Sequence, residues 1–107
     1  MQTTRTAETI VKITPNDQGN PPGKLADAEL HFTGGALEGL KLVGFSIWER
    51  RGGNGRNVTF PAGSYVVNGD RRSFALLRPI VDTAAQENVR DLILAAYAQY
   101  EERSAVA

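Results

Sequence analysis

The chain has no cysteine, one histidine, one tryptophan and one methionine among its 107 residues. Without thiols there is no disulfide framework, no thiolate zinc site and no cysteine nucleophile. A single imidazole argues against a multi-histidine metal centre or a histidine-relayed hydrolase. No apolar run approaches the length of about eighteen residues that a membrane-spanning helix needs, and residues 1–5 lack the apolar core of a signal peptide. A cytoplasmic protein without membrane contact is therefore expected. Net charge is absent too, since 12 Lys+Arg face 12 Asp+Glu. That balance excludes a uniformly basic nucleic-acid binder, and only a local patch of charge would make the chain an electrostatic one.

Charge is present locally. Residues 1–49 balance to −2, residues 50–78 to +5 and residues 79–107 to −3. The middle block holds Arg50, Arg51, Arg56, Arg71, Arg72 and Arg78 against Asp70 alone. Arginine outnumbers lysine nine to three over the chain, which favours forked contacts to phosphate or carboxylate over point charges.

The apolar content of 41% suits one small core, so a single domain is expected over residues 1–107. Residues 1–24 read as an N-terminal strand plus a Pro/Gly-rich loop, mobile in part, because Pro15 to Gly23 is turn chemistry throughout. From Lys24 the alternation is strict. Ala26, Ala28, Leu30 and Phe32 face one way and Asp27, Glu29 and His31 the other, as in a strand with one wet face. The run Leu40–Glu49 is the most apolar, with Val43, Phe45 and Ile47 on one side and Leu40, Leu42 and Trp48 on the other; apolar residues on both faces predict a central strand or one covered by a partner. A glycine–arginine hairpin loop follows, then a short strand at Val58–Phe60 ended by Pro61. Asn68-Gly69 between two strand-like runs is a hairpin turn signal, since both residues tolerate positive φ.

After Pro79 the period changes. Ala85, Val89, Leu92, Ile93, Ala96, Tyr97 and Tyr100 form a helical stripe over Thr83–Glu102, with Thr83 and Gln86 as a capping box. The expected fold is α+β: a small antiparallel β-sheet of five to six strands followed by one long C-terminal amphipathic helix. One helix covers one sheet face, so the rest must be managed by charge or by dimerisation.

Few residues invite chemistry. His31 shares its wet strand face with Asp27 and Glu29, which any exposed strand would also show, and neither a triad nor a metal set is expected there. Gly52-Gly53-Asn54-Gly55 lacks the following helix and the Gly-Lys-Ser/Thr ending of a phosphate loop, so it reads as a turn between strands. Glu101-Glu102 falls at the predicted helix end, too frayed for paired-carboxylate work. No catalytic group, cofactor or small-molecule substrate is indicated. The six arginines remain, either as phosphate contacts or as a solvated face that protects sheet edges.

The order of features from Lys41 to about Tyr100 resembles the stage V sporulation protein G (SpoVG, septation protein) family. The residues carrying the resemblance are Leu42-Val43-Gly44-Phe45-Ser46-Ile47, a glycine-bearing loop, Val58-Thr59-Phe60-Pro61, the turn at Asn68-Gly69, Leu77-Arg78-Pro79-Ile80 and the helix end Ala95-Ala96-Tyr97. The resemblance implies a homodimeric, non-enzymatic regulator that binds DNA or RNA. The chain departs from the family pattern in having Ala62-Gly63-Ser64-Tyr65 in place of a basic stretch and Arg78 in place of a histidine. Arg71, Arg72 and Arg78 would then have to supply the phosphate contacts, together with Arg50, Arg51 and Arg56. The alternative is a structural or protein-interaction module of the same fold.

Overall fold

A computed structural model describes residues 8–53 and 55–106. Four strands form an antiparallel meander in the order β1 (Thr9–Pro15), β2 (Lys24–Phe32), β3 (Lys41–Glu49) and β4 (Arg56–Thr59). Two further strands, β5 (Ala62–Val67) and β6 (Asp70–Ala75), pair only with each other, and a helix, α1 (Ala84–Val106), closes the chain. The α+β expectation holds in element order and type. The six strands, however, split into a sheet of four and a ribbon of two. Pro61 stands at the split: it has no N–H to continue the ladder from β4, and its carbonyl instead accepts the Leu76 amide at the ribbon's base.

The alternation in β2 is the axis of the core. Ala26, Ala28 and Leu30 are buried, while Asp27 on the opposite face is exposed. Phe45 and Ile47 of β3, Val58 of β4, and Ile93 and Tyr97 of α1 complete the buried cluster. Alanines at 26 and 28 leave room for the helix to lie close to the sheet. Each large side chain so buried contributes about 1.5–3 kcal/mol. Phe60 extends the core edge-on to Phe45, with ring centroids 5.3 Å apart.

Strand β3 is central, as its apolar run predicts, but its two faces are assigned differently. The pairing with β2 shifts between Ala28↔Phe45 and Leu30↔Leu42, so one extra β3 residue is accommodated there. Gly44 takes a φ of +111° at this bulge. Leu42 is thereby brought toward the core beside Phe45 and Ile47, and Val43, expected with them, is exposed. A Cβ on Gly44 would stand 2.9 Å from Pro61 Cβ, so the bulge and the root of the ribbon touch where only glycine fits.

The open face of the four-stranded sheet is held by charge. Asp27 pairs with Lys24 at 2.7 Å and accepts a hydrogen bond from Ser46, and Glu29 accepts from His31 Nε2 at 2.8 Å and faces Lys41 at 3.4 Å. The bond from His31, more than the proximity of Lys41, holds the Glu29 carboxyl below its ordinary range against a smaller opposing effect of burial. The β1–β2 loop is also tied down: Asn16 Nδ2 donates to the carbonyls of Asn20 and Lys24, and the Glu49 amide donates to Gly23.

The helix runs four residues past its predicted end. Its stripe is buried at Ile93 and Tyr97 and half-buried at Val89 and Tyr100. Ala85 stays exposed, and Leu94, outside the predicted stripe, packs at the core's edge. The Ala84 amide donates to Asp82 Oδ1 at 2.9 Å, so Asp82 rather than Thr83 supplies the side-chain oxygen at the helix start. No described helix is long and apolar enough to cross a membrane.

Candidate nucleic-acid interface

The ribbon is a projecting arm. Asn68 and Gly69 both have positive φ, +51° and +85°, the geometry of the tight turn whose twist matches the flanking strands. Six residues per strand give the arm a reach of about 20 Å. The radius of gyration, 15.5 Å, exceeds the ~13 Å of a compact chain of this length, as an arm would cause.

Register decides which side chains share an arm face. Gly63↔Phe74, Tyr65↔Arg72 and Val67↔Asp70 are opposed on one face, and Ser64↔Ser73 and Val66↔Arg71 on the other. Phe74 lies over Gly63, whose added Cβ would meet its ring at 2.5 Å, and stands 5.9 Å from the Tyr65 ring. One face therefore offers two aromatic rings beside Arg72. The other places Arg71 against Ser64 Oγ at 3.4 Å. Arg71 and Arg72, adjacent in sequence, point to opposite sides of the ribbon.

The remaining arginines lie elsewhere. Arg50 is exposed on the β3–β4 hairpin, where its amide and carbonyl close the turn with Gly55 and Gly53. The side chain of Arg51 and the whole of Asn54 lie outside the described residues. Arg78, at the arm's neck, donates from Nε to the Ala75 carbonyl at 2.7 Å. Arg50, Arg71, Arg72 and Arg78 are exposed and have no carboxylate partner among the described residues.

Arg56 differs. Its Nη1 and Nη2 donate to the two oxygens of Glu101, the second at 2.7 Å, and its guanidinium sits 5.0 Å from the centre of the Tyr97 ring. The forked bond to Glu101 raises the Arg56 pKa further, and burial pushes the Tyr97 phenol up. Glu101, expected at a frayed end, is instead a fixed contact in a helix that continues to Val106. Arg56 is thus already neutralised by its own chain.

The sequence pattern groups six arginines, and the structure distributes them over the β3–β4 turn, two faces of an arm, the arm's neck and a helix contact. What the pattern leaves out is the aromatic pair Tyr65 and Phe74. Their signal is present in the strand period, which puts both on the Arg72 side once the Asn68-Gly69 turn sets the register. Around them the arm and neck expose Val66 (63%), Leu76 (58%), Ile80 (98%) and Val81 (91%). Comparisons of the chain with protein-family models, with curated proteins and with solved structures give no significant match.

Proposed function

We propose that the protein is a dimeric, non-enzymatic, cytoplasmic regulator of the SpoVG type, binding DNA or RNA through the arginines of its arm and of the β3–β4 turn. One observation carries the reading: among the described residues Arg50, Arg71, Arg72 and Arg78 stand exposed without a carboxylate, whereas Arg56 is consumed by Glu101. Cations left uncompensated on a projecting ribbon suit a polyanion, and two-stranded ribbons are used to enter nucleic-acid grooves. Tyr65 and Phe74 beside Arg72 add π faces on which unpaired bases can stack, so single strands are favoured over duplex.

Fluorescence anisotropy with labelled single- and double-stranded oligonucleotides tests this at about 50 and 200 mM salt. Binding should fall steeply between the two. The Arg71→Ala, Arg72→Ala double variant should weaken binding and lower the salt slope by about 1.5 to 2, while Arg56→Ala should leave the slope unchanged. Absence of binding at tens of micromolar, roughly, in the low-salt buffer would sink the reading.

The apolar surface of arm and neck favours a second element of the proposal, burial against another copy. A partner covering Val66, Leu76, Ile80 and Val81 would remove an exposure that isolated soluble chains avoid. If the dimer forms and nucleic acid is ignored, the same fold acts as a protein-interaction module instead.

A further inference from the structure

Among the described residues β1 is the outer strand of the four-stranded sheet, at the opposite edge from β4 and the arm. The Thr33 amide donates to the Glu8 carbonyl and the Asn16 amide to Leu25, which fixes the phase of the β1–β2 ladder. Even-numbered residues of β1 therefore turn their backbone groups toward β2. Thr9, Val11 and Ile13 turn theirs outward, to an edge with no strand beyond it among the described residues. Pro15, the next outward position, has no N–H and ends the open ladder.

Lysine and proline on an edge can simply prevent unwanted pairing. A binding edge needs in addition a place for the incoming side chains, and β1 has one. A groove of about 510 Å³ runs between β1 and α1, floored on the helix by Leu92, Ala95, Ala96 and Tyr100. Alanines at 95 and 96 leave depth there. Lys12, which alternation turns to the open sheet face opposite Glu29, and Arg103, on the helix side, both border the groove; among the described residues neither has an ion-paired carboxylate and no Asp or Glu lines it. Outward-turned strand backbone, an apolar floor and a cation on either side occur together at this edge.

We infer that this groove takes an extended, acidic segment of a partner polypeptide, which adds to β1 as a further strand. Main-chain bonds to Thr9, Val11 and Ile13 supply the docking, alternate apolar side chains drop toward Leu92 and Tyr100, and the carboxylates between them stand on the open face beside Lys12, with Arg103 adding positive charge on the helix side. Charge selects the occupant: β5 and β6 of a second copy bring Arg71, Arg72 and the single acid Asp70, a poor match to Lys12 and Arg103. The inference rests on other elements than the nucleic-acid reading and survives its failure.

The probe is a fluorescein-labelled octapeptide alternating valine and glutamate, titrated into the full chain, with valine–glutamine and valine–lysine peptides beside it. Amide hydrogen exchange by NMR follows Thr9, Val11 and Ile13. The glutamate peptide should bind, protect those three amides and outcompete the lysine peptide. The Lys12→Gln, Arg103→Gln double variant should lose about tenfold in affinity while keeping the wild-type fold by circular dichroism, both side chains being exposed. Val11→Pro removes one outward N–H and no bond to β2; it should abolish binding, and the charge variant decides the matter if that protein does not fold. No binding at millimolar peptide, or equal binding of acidic and basic peptides, overturns the inference. So does protection of the same amides without peptide: if it grows with protein concentration a second copy is the occupant, and if it does not the chain's own residues are.

Discussion

The four-stranded sheet and the arm are built from the same kind of strand and end in opposite states. In β2, Ala26, Ala28 and Leu30 keep 5% or less of their surface exposed, because α1 lies across that face. In β5 and β6, alternate residues are as apolar, with Tyr65, Val67 and Phe74 on one side, yet all remain exposed. An isolated two-stranded hairpin is marginal in water. The contrast teaches that alternation selects a strand, whereas burial depends on whether the chain supplies a second layer. Here the described residues supply one for four strands and none for two.

Removing equivalent rings from the two regions gives the largest test of this contrast. Phe45→Ala should cost roughly 3–5 kcal/mol in denaturant unfolding, and Phe74→Ala well under about 1 kcal/mol in dilute solution. A larger loss for Phe74→Ala that appears only at high protein concentration would show that the arm finds its second layer in another copy. Equal losses in dilute solution would break the comparison outright.

A smaller effect is expected where the two regions touch. Gly44→Ala meets both a φ of +111° and the Pro61 ring, and should cost about 2 kcal/mol. Gly69→Ala, with a φ of +85° and open space around it, carries backbone strain alone and should cost about 1 kcal/mol. Thermal or chemical unfolding of both variants measures the difference, which is the contribution of the Gly44–Pro61 approach.

The smallest effect lies on the open sheet face. Glu29 has a depressed folded-state pKa, so its stabilisation is complete above its unfolded value of 4.5 and is lost as pH falls through the lower folded value. The stability gap between the wild type and Glu29→Gln should therefore close on acidification below the ordinary carboxyl range. A gap that instead widened with acid would show that the contact to His31 works against the fold.

Much of this was legible beforehand. The wet and dry faces of β2, the Asn68-Gly69 turn and the stripe through Ile93 and Tyr97 are local periodicities, and local periodicity is what a chain displays directly. The bulge at Gly44 is hidden in the sequence because a glycine interrupts alternation without announcing its conformation, so simple alternation puts Val43 on the side that Leu42 takes. The fate of Arg56 could not be read either, since Glu101 is 45 residues away and the two meet only through tertiary packing. Arg71 and Arg72 are the instructive case. Strand period alone sends neighbours to opposite faces, so their separation was available in the sequence once the hairpin was accepted.

The bare contact between Gly44 and Pro61 also sets an angle. With no side chain at position 44, Pro61 at the arm's root seats closely on β3, while Leu77 packs the other side of the root against the core. A tilt of about 10° there would swing a tip about 20 Å away through roughly 3–4 Å, the spacing of one residue along a strand. A missing methyl at position 44 therefore helps to set the direction in which the arm carries Arg71 and Arg72.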